Sequence, residues 1–283
     1  MRDILTFAEL TFREARRSKI LWTALGLGLA FIILYGVGFF FVHRDIVYRD
    51  TAASGHGRDI ALDAGFNFFV MAGLYVISFL GVMLAVLTSV GTISGEITSH
   101  TIQALATKPL RRVTILLGKW LGLALMLTSY IILLSSGIIF ATWAISGYLL
   151  PNALPGVLLI AFQALIMLSL SMLGGTRLST VANGVLVFML YGLAFVGGWI
   201  EQFGSLAHNE TAVDIGIISS LLVPSEAMWK MAANIMQPPA MNILGISPFS
   251  MSVAPSMAML AYAFVYAAAS VGLASYSFCH RDL

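Results

Sequence analysis

Between Ser94 and Gly122 the chain reads SGEITSHTIQALATKPLRRVTILLGKWLG, a run whose residue types suit docking rather than bond-making. Gly95-Glu96 is placed to open a short helix, with the acid at its positive end. Ile97, Thr101, Ile102 and Leu105 then fall on one side, flanked by hydroxyls such as that of Thr98. Pro109 ends the helix, Arg111 and Arg112 meet anionic headgroups, and the chain returns to apolar sequence at Leu116. A compact, partly apolar helix of this kind fits a groove on a partner protein.

Catalytic chemistry finds few candidates. The Gly-Lys pair Gly118-Lys119 is followed by Trp120 and lacks the upstream glycines of a phosphate-binding loop. The histidines His43, His56, His100, His208 and His280 are scattered, and no HExxH or His/Cys cluster suggests a metal. A single cysteine, Cys279, excludes an intrachain disulfide. The expectation is a chain that is not an enzyme, holds no cofactor or metal, and does not itself hydrolyse ATP.

The elements that must position the 94–122 run are written in the composition. Of 283 residues, 59% are hydrophobic and 10% charged, against roughly 25% charged in soluble domains. The solvent for such a surface is lipid. Six apolar runs, near 20–42, 67–92, 115–146, 154–174, 183–200 and 254–278, can each cross about 30 Å of hydrocarbon as helices. The fold class is therefore an all-α, polytopic membrane protein, read as one transmembrane domain over 1–283. The first apolar run is too long for a cleavable signal. A net charge of +2 is too small to suggest nucleic acid.

Charge placement sets orientation. Arg2, Arg13, Arg16, Arg17, Lys19, Lys108, Arg111, Arg112, Lys119, Arg177 and Arg281 fall in alternate connections, and only Arg44, Arg49, Arg58 and Lys230 fall in the others. The positive-inside rule puts both termini in the cytoplasm. The spans carry almost no ionisable residue, Glu201 lying at an outer end. That disfavours ion-coupled transport and intramembrane hydrolysis, which need charges within the bilayer.

Several segments refine this picture. Residues 1–19 form an interfacial elbow, with Ile4, Leu5, Ala8, Phe12 and Ala15 at helical spacing. The 43–66 connection is a polar outer loop. Residues 201–253 hold an apolar stretch from Ile215 to Val223 that is too short to span, then Pro224 and a helix start at Ser225-Glu226. This reads as an outer re-entrant or interfacial hairpin rather than a seventh crossing. Asn209-Glu210-Thr211 matches a glycosylation acceptor, but three-residue matches arise readily by chance. Gly118/Gly122, Ser135-Ser136-Gly137, Ser169/Ser171 and the Ala261–Ala274 run give faces for close helix approach. Asn67, Gln163 and Asn183 can bond across helices, and Trp22, Trp143, Tyr148 and Trp199 read as interfacial anchors.

The pattern Glu96, Thr101, Pro109, Arg111-Arg112 and Leu117-Gly118-Lys119 resembles the type-2 ATP-binding-cassette permeases. The stretch from Leu222 to Trp229, the closing Arg281-Asp282-Leu283 and the basic elbow agree with it. A departure is Ile97, Thr98 and His100 where the family often has a second charge after the acid. The resemblance implies a homodimeric permease subunit of an ATP-driven exporter in a bacterial or archaeal inner membrane, with two copies of a separate ATPase that holds ATP and Mg. It implies that the 93–114 loop carries a coupling helix, with Glu96, Thr98, Thr101, Ile102 and Leu105 facing the ATPase and Arg177 a smaller second contact. Arg16, Arg17, Arg111, Arg112 and Lys119 would meet the membrane interface. Permeases of the nitrous-oxide-reductase maturation type are within the resemblance. Two other readings stand beside the exporter: a subunit that moves an outer-face or periplasmic partner without passing a solute, and an ATP-independent scaffold or channel.

Overall fold

The computed structural model describes residues 2–50, 56–98, 112–238 and 255–280. All regular structure among them is helical. In chain order the helices are α1 (Arg2–Arg17), α2 (Lys19–Asp50), α3 (His56–Thr98), α4 (Arg112–Ser146), α5 (Ala153–Gly175), α6 (Thr180–Leu206), α7 (Glu210–Leu222), α8 (Ser225–Met236) and α9 (Met257–Cys279). Six of them, α2 to α6 and α9, are long and apolar enough to cross a membrane.

Helix α1 is short and two-sided. Ala8, Thr11 and Ala15 are buried against α4, where Gly118 and Gly122 leave room for its backbone. A Cβ on Gly122 would lie 2.6 Å from the Ala8 carbonyl oxygen and 2.8 Å from Thr11 Cβ. Leu5 and Leu10, by contrast, are exposed. The buried face instead follows the small residues, because only these let two helix backbones approach closely. The helix breaks at Ser18, whose hydroxyl accepts from the Ile20 N–H at 3.2 Å to start α2.

Helix α2 faces outward along most of its length, with Leu29, Ile33, Leu34 and Phe41 exposed. It is tied to α4 by Tyr130, whose hydroxyl donates to the Ala24 carbonyl at 3.1 Å, and by the Tyr35–Thr142 hydroxyl pair at 2.8 Å. Helices α3, α4 and α5 make the core, with Met71, Leu74, Ile77, Leu127, Ile131, Leu134 and Ile160 almost wholly buried. Helix α3 has 43 residues, about 65 Å at 1.5 Å per residue, so both its ends project beyond about 30 Å of hydrocarbon. Helix α9 lays a stripe of small residues, Ala263, Ala267, Ser270 and Ala274, against the bundle.

The outer hairpin is a sharply bent pair. Helices α7 and α8 meet at Val223-Pro224 with a bend of 110°. Proline has no N–H to donate, so a helix readily breaks where it occurs. The pair returns to the end of the bundle where it began. Helix α7 follows the end of α6, while the last turn of α8 is held at the start of α5, where the Asn152 amide donates to the Ile235 carbonyl at 2.9 Å. Asn67 donates to the Met236 carbonyl at 3.1 Å at that same end. Since α5 and α6 are antiparallel neighbours, these are one and the same face. The pair thus begins and ends at one end of the bundle, with a 110° bend between its two helices.

Candidate functional site

Two regions concentrate polar chemistry, one at each end of the bundle. At the end holding α1, the start of α4, the α5–α6 turn and the end of α9 come together. Arg177 Nε donates to Ser277 Oγ at 3.0 Å, and Thr176 Oγ1 lies 3.1 Å from the same oxygen. Arg112 reaches the Cys279 carbonyl at 3.4 Å. Arg16 and Arg17 are exposed at the end of α1. The basic residues separated along the sequence thus share one face.

Lys119 departs from its expected place at the membrane surface. It is 8% exposed, and its Nζ donates to the Thr92 carbonyl at 3.5 Å, inside a chamber walled by α1, α3 and α4. Trp120 beside it donates its indole N–H to Ser169 Oγ at 3.0 Å.

Glu96 and Thr98 also differ in setting from the sequence expectation. They do not open a new helix; they belong to the last turn of α3, which runs unbroken to Thr98. A helix this long propagates through Gly95 at a cost of about 1 kcal/mol relative to alanine. The acid consequently sits at a helix C-terminal end. Thr101, Ile102, Leu105 and Arg111 lie outside the described residues.

At the opposite end, α8 is buried on nearly every side, with Glu226 and Lys230 each 4% exposed. Lys230 Nζ pairs with Glu201 Oε2 on α6 at 2.7 Å. Glu226 lies one turn deeper, its Cγ 2.5 Å from where a Cβ on Gly198 would stand, and its Oε2 is buried without a partner among the described residues. Beside it, Trp199, half-buried, donates its Nε1–H to the Tyr75 hydroxyl at 3.0 Å. Asn67 donates to the Tyr148 hydroxyl at 3.0 Å as well as to Met236. Burial pushes the Tyr148 hydroxyl above its ordinary range, and the Asn67 bond opposes that rise.

Sequence reasoning assigned Glu226 and Lys230 to an outer connection and missed their insertion between helices. One signal for it was present: Gly197, Gly198 and Gly204 on α6 and Gly216 on α7. A Cβ on Gly204 would lie 2.5 Å from Ala212 Cβ, and one on Gly216 only 2.9 Å from the Gly197 carbonyl. These glycines let α7 lie directly on α6 and bring α8 in behind it.

The family profile for ABC-2 family transporter protein matches residues 5–283, nearly the whole chain. The chain belongs to the ABC-2 transporter family. Among curated proteins, none matches it. The ABC-2 family supplies membrane components of transporters that associate with an ATPase subunit. In this ABC-2 permease the basic residues Arg112 and Arg177 lie on the face that also holds the end of α9.

Proposed function

We propose that this chain is the permease subunit of an ATP-driven exporter, working as a homodimer with two copies of a separate ATPase that holds ATP and Mg. The observation that carries the reading is the meeting of α1, the end of α3, Arg112, Arg177 and the end of α9 on one face. An excess of Lys and Arg there favours the cytoplasmic side of an inner membrane, with both termini inside. Glu96 and Thr98 stand at the end of a rigid helix that projects from the core, so force applied there acts along α3. The family resemblance would add Thr101, Ile102 and Leu105 to the ATPase contact, with Arg177 as a second point of contact. Closure of the ATPase pair would tilt α3 against α4 and open a path between the two membrane halves.

A second reading is favoured by the outer hairpin. Helix α8 is bonded to α3 through Asn67 and to α6 through Lys230–Glu201. Tilting α3 would therefore displace α8 directly, and a periplasmic partner seated there would be moved without passage of a solute. Delivery of a cofactor component or sulfur species, as in permeases of the nitrous-oxide-reductase maturation type, falls instead under the exporter reading.

A cysteine at Thr98 tests the coupling surface common to both. A disulfide or short bifunctional cross-link from Thr98→Cys to the ATPase subunit is the expected product in native membranes. Failure of every position from 96 to 105 to cross-link to an ATPase contradicts the reading.

A further inference from the structure

Three ionisable side chains meet where α8 packs near the outer end of α6, and their charges do not balance. Glu201 of α6 and Glu226 of α8 are acids, and Lys230 of α8 is the cation that acts on both. Lys230 Nζ gives its bond to Glu201 Oε2 at 2.7 Å. Glu226 stands one helical turn from Lys230 and is 4% exposed, with Oε2 buried and unpartnered among the described residues. It borders a narrow space of about 10 Å³ shared with Tyr75, Trp199, Gln202, Trp229 and Lys230. A space of that size holds about one water molecule. Gln202 is half-buried and lies one turn from the end of α6, so the space is close to the outer surface.

A carboxylate at Glu226 would be out of water, second in line for a single lysine, and near a like charge. Burial acts most strongly against its ionisation, Lys230 opposes that effect, and Glu201 adds to it. No second cation acts on it among the described residues. Lys230 belongs to its own helix, Tyr75 approaches from α3, and Glu201 and Tyr191 from α6. Helix α9 packs beside α8 with Ala263, Ala267 and the phenol Tyr266, and α5 with Gly156 and Ile166. The acids of α7, Glu210 and Asp214, are exposed. Two carboxyl groups that share one cation favour keeping one proton between them.

We propose that Glu226 is a proton-binding site, loaded from the outer face, whose proton holds α8 in its seat. With the proton bound, Glu226 is a neutral acid that donates to water in the adjoining space. When its O–H bond breaks, the proton leaves through that water past Gln202, and the electron pair stays on the carboxylate. The resulting anion is relieved by drawing Lys230 from Glu201 or by moving the start of α8 toward water. The bend at Val223-Pro224 supplies the hinge for such a movement. Seating is therefore strongest where Glu226 is protonated and weakens as pH rises through its titration in the seated state. The site belongs to this chain alone and is independent of the ATPase partnership, so either reading can fail without the other.

The test is infrared spectroscopy of the purified full-length chain in detergent, following the carbonyl band of protonated carboxyl groups from neutral to alkaline buffer. The unmodified chain should show the band at neutral pH and lose it in alkaline buffer. Glu226→Gln should lack it in both. Glu201→Gln should lose it at a lower pH than the unmodified chain, because Lys230 can then pair with Glu226 along the helix. The thermal unfolding midpoint of the unmodified chain should fall further between the two buffers than that of Glu226→Gln. Absence of the band from the unmodified chain at neutral pH overturns the proposal, as does its persistence in Glu226→Gln. An unmoved titration in Glu201→Gln, or midpoints that fall equally in the unmodified chain and Glu226→Gln, overturns it too.

Discussion

Lys230 on α8 and Glu201 on α6 form an ion pair at 2.7 Å, with the lysine side chain 6% exposed and the glutamate side chain 23% exposed. The pair fastens a helix that enters and leaves by one face to a helix that crosses. Removing Lys230 leaves Glu201 and Glu226 facing each other without the cation between them, which costs up to roughly 3 kcal/mol, the lower end for a fully buried pair. Lys230→Met should therefore lower the unfolding temperature in detergent, whereas the double change Glu201→Leu with Lys230→Met should recover most of the loss. Additive losses in the double variant would show that the pair is not what holds α8.

Glu226 is the second charged feature of this helix, and its Oε2 is buried with no bonding partner among the described residues. Glutamine keeps its size and removes its charge. Glu226→Gln should leave stability unchanged or raise it by about 1 kcal/mol. A large loss of stability would mean that attraction to Lys230, one turn along the same helix, holds the carboxylate in place.

Gly122 admits α1 to the bundle. With a backbone carbonyl 2.6 Å from its would-be Cβ, a side chain there has no flexible neighbour to push aside. Gly122→Val should release the elbow at a cost of about 1–3 kcal/mol, the usual scale for overpacking. Limited proteolysis would then cut before Lys19 while leaving α3 to α6 protected. An N-terminus as resistant as that of the unmodified chain would contradict the packing described.

Asn67 holds both Met236 and Tyr148. Asn67→Ala should weaken the seating of α8 by about 1 kcal/mol, within the range for interhelical polar bonds in membranes. It should also move the titration of Tyr148 further upward, because the amide donor that favours the phenolate is gone. Ultraviolet difference titration against a Tyr148→Phe control reads that shift. A shift downward would contradict the donor assignment.

The six spans were legible because a single physical signal, long runs without charge, dictates them. The end of α3 was misread at Gly95-Glu96 since local capping chemistry says nothing about the momentum of a 43-residue helix. The face of α1 that packs on the bundle was not legible in its apolar spacing, because hydrophobicity marks a core only in water; in lipid the small residues Ala8 and Ala15 do so. Lys230 and Glu226 looked like loop charges for a similar reason. Their burial depends on Gly197, Gly198 and Gly216, which create space for α7 and α8 only after the chain has turned back at Pro224. The pairing of Arg177 with Ser277 joins residues 100 apart, and nothing local announces it.

The most direct test of the central claim is co-purification in mild detergent from the native host, with ATPase activity measured for the unmodified chain and for Glu96→Arg. The account predicts that a separate nucleotide-binding subunit accompanies the unmodified chain and is lost, together with the activity, on charge reversal at Glu96. Absence of any ATPase from the purified unmodified chain, or its full retention with Glu96→Arg, would contradict it.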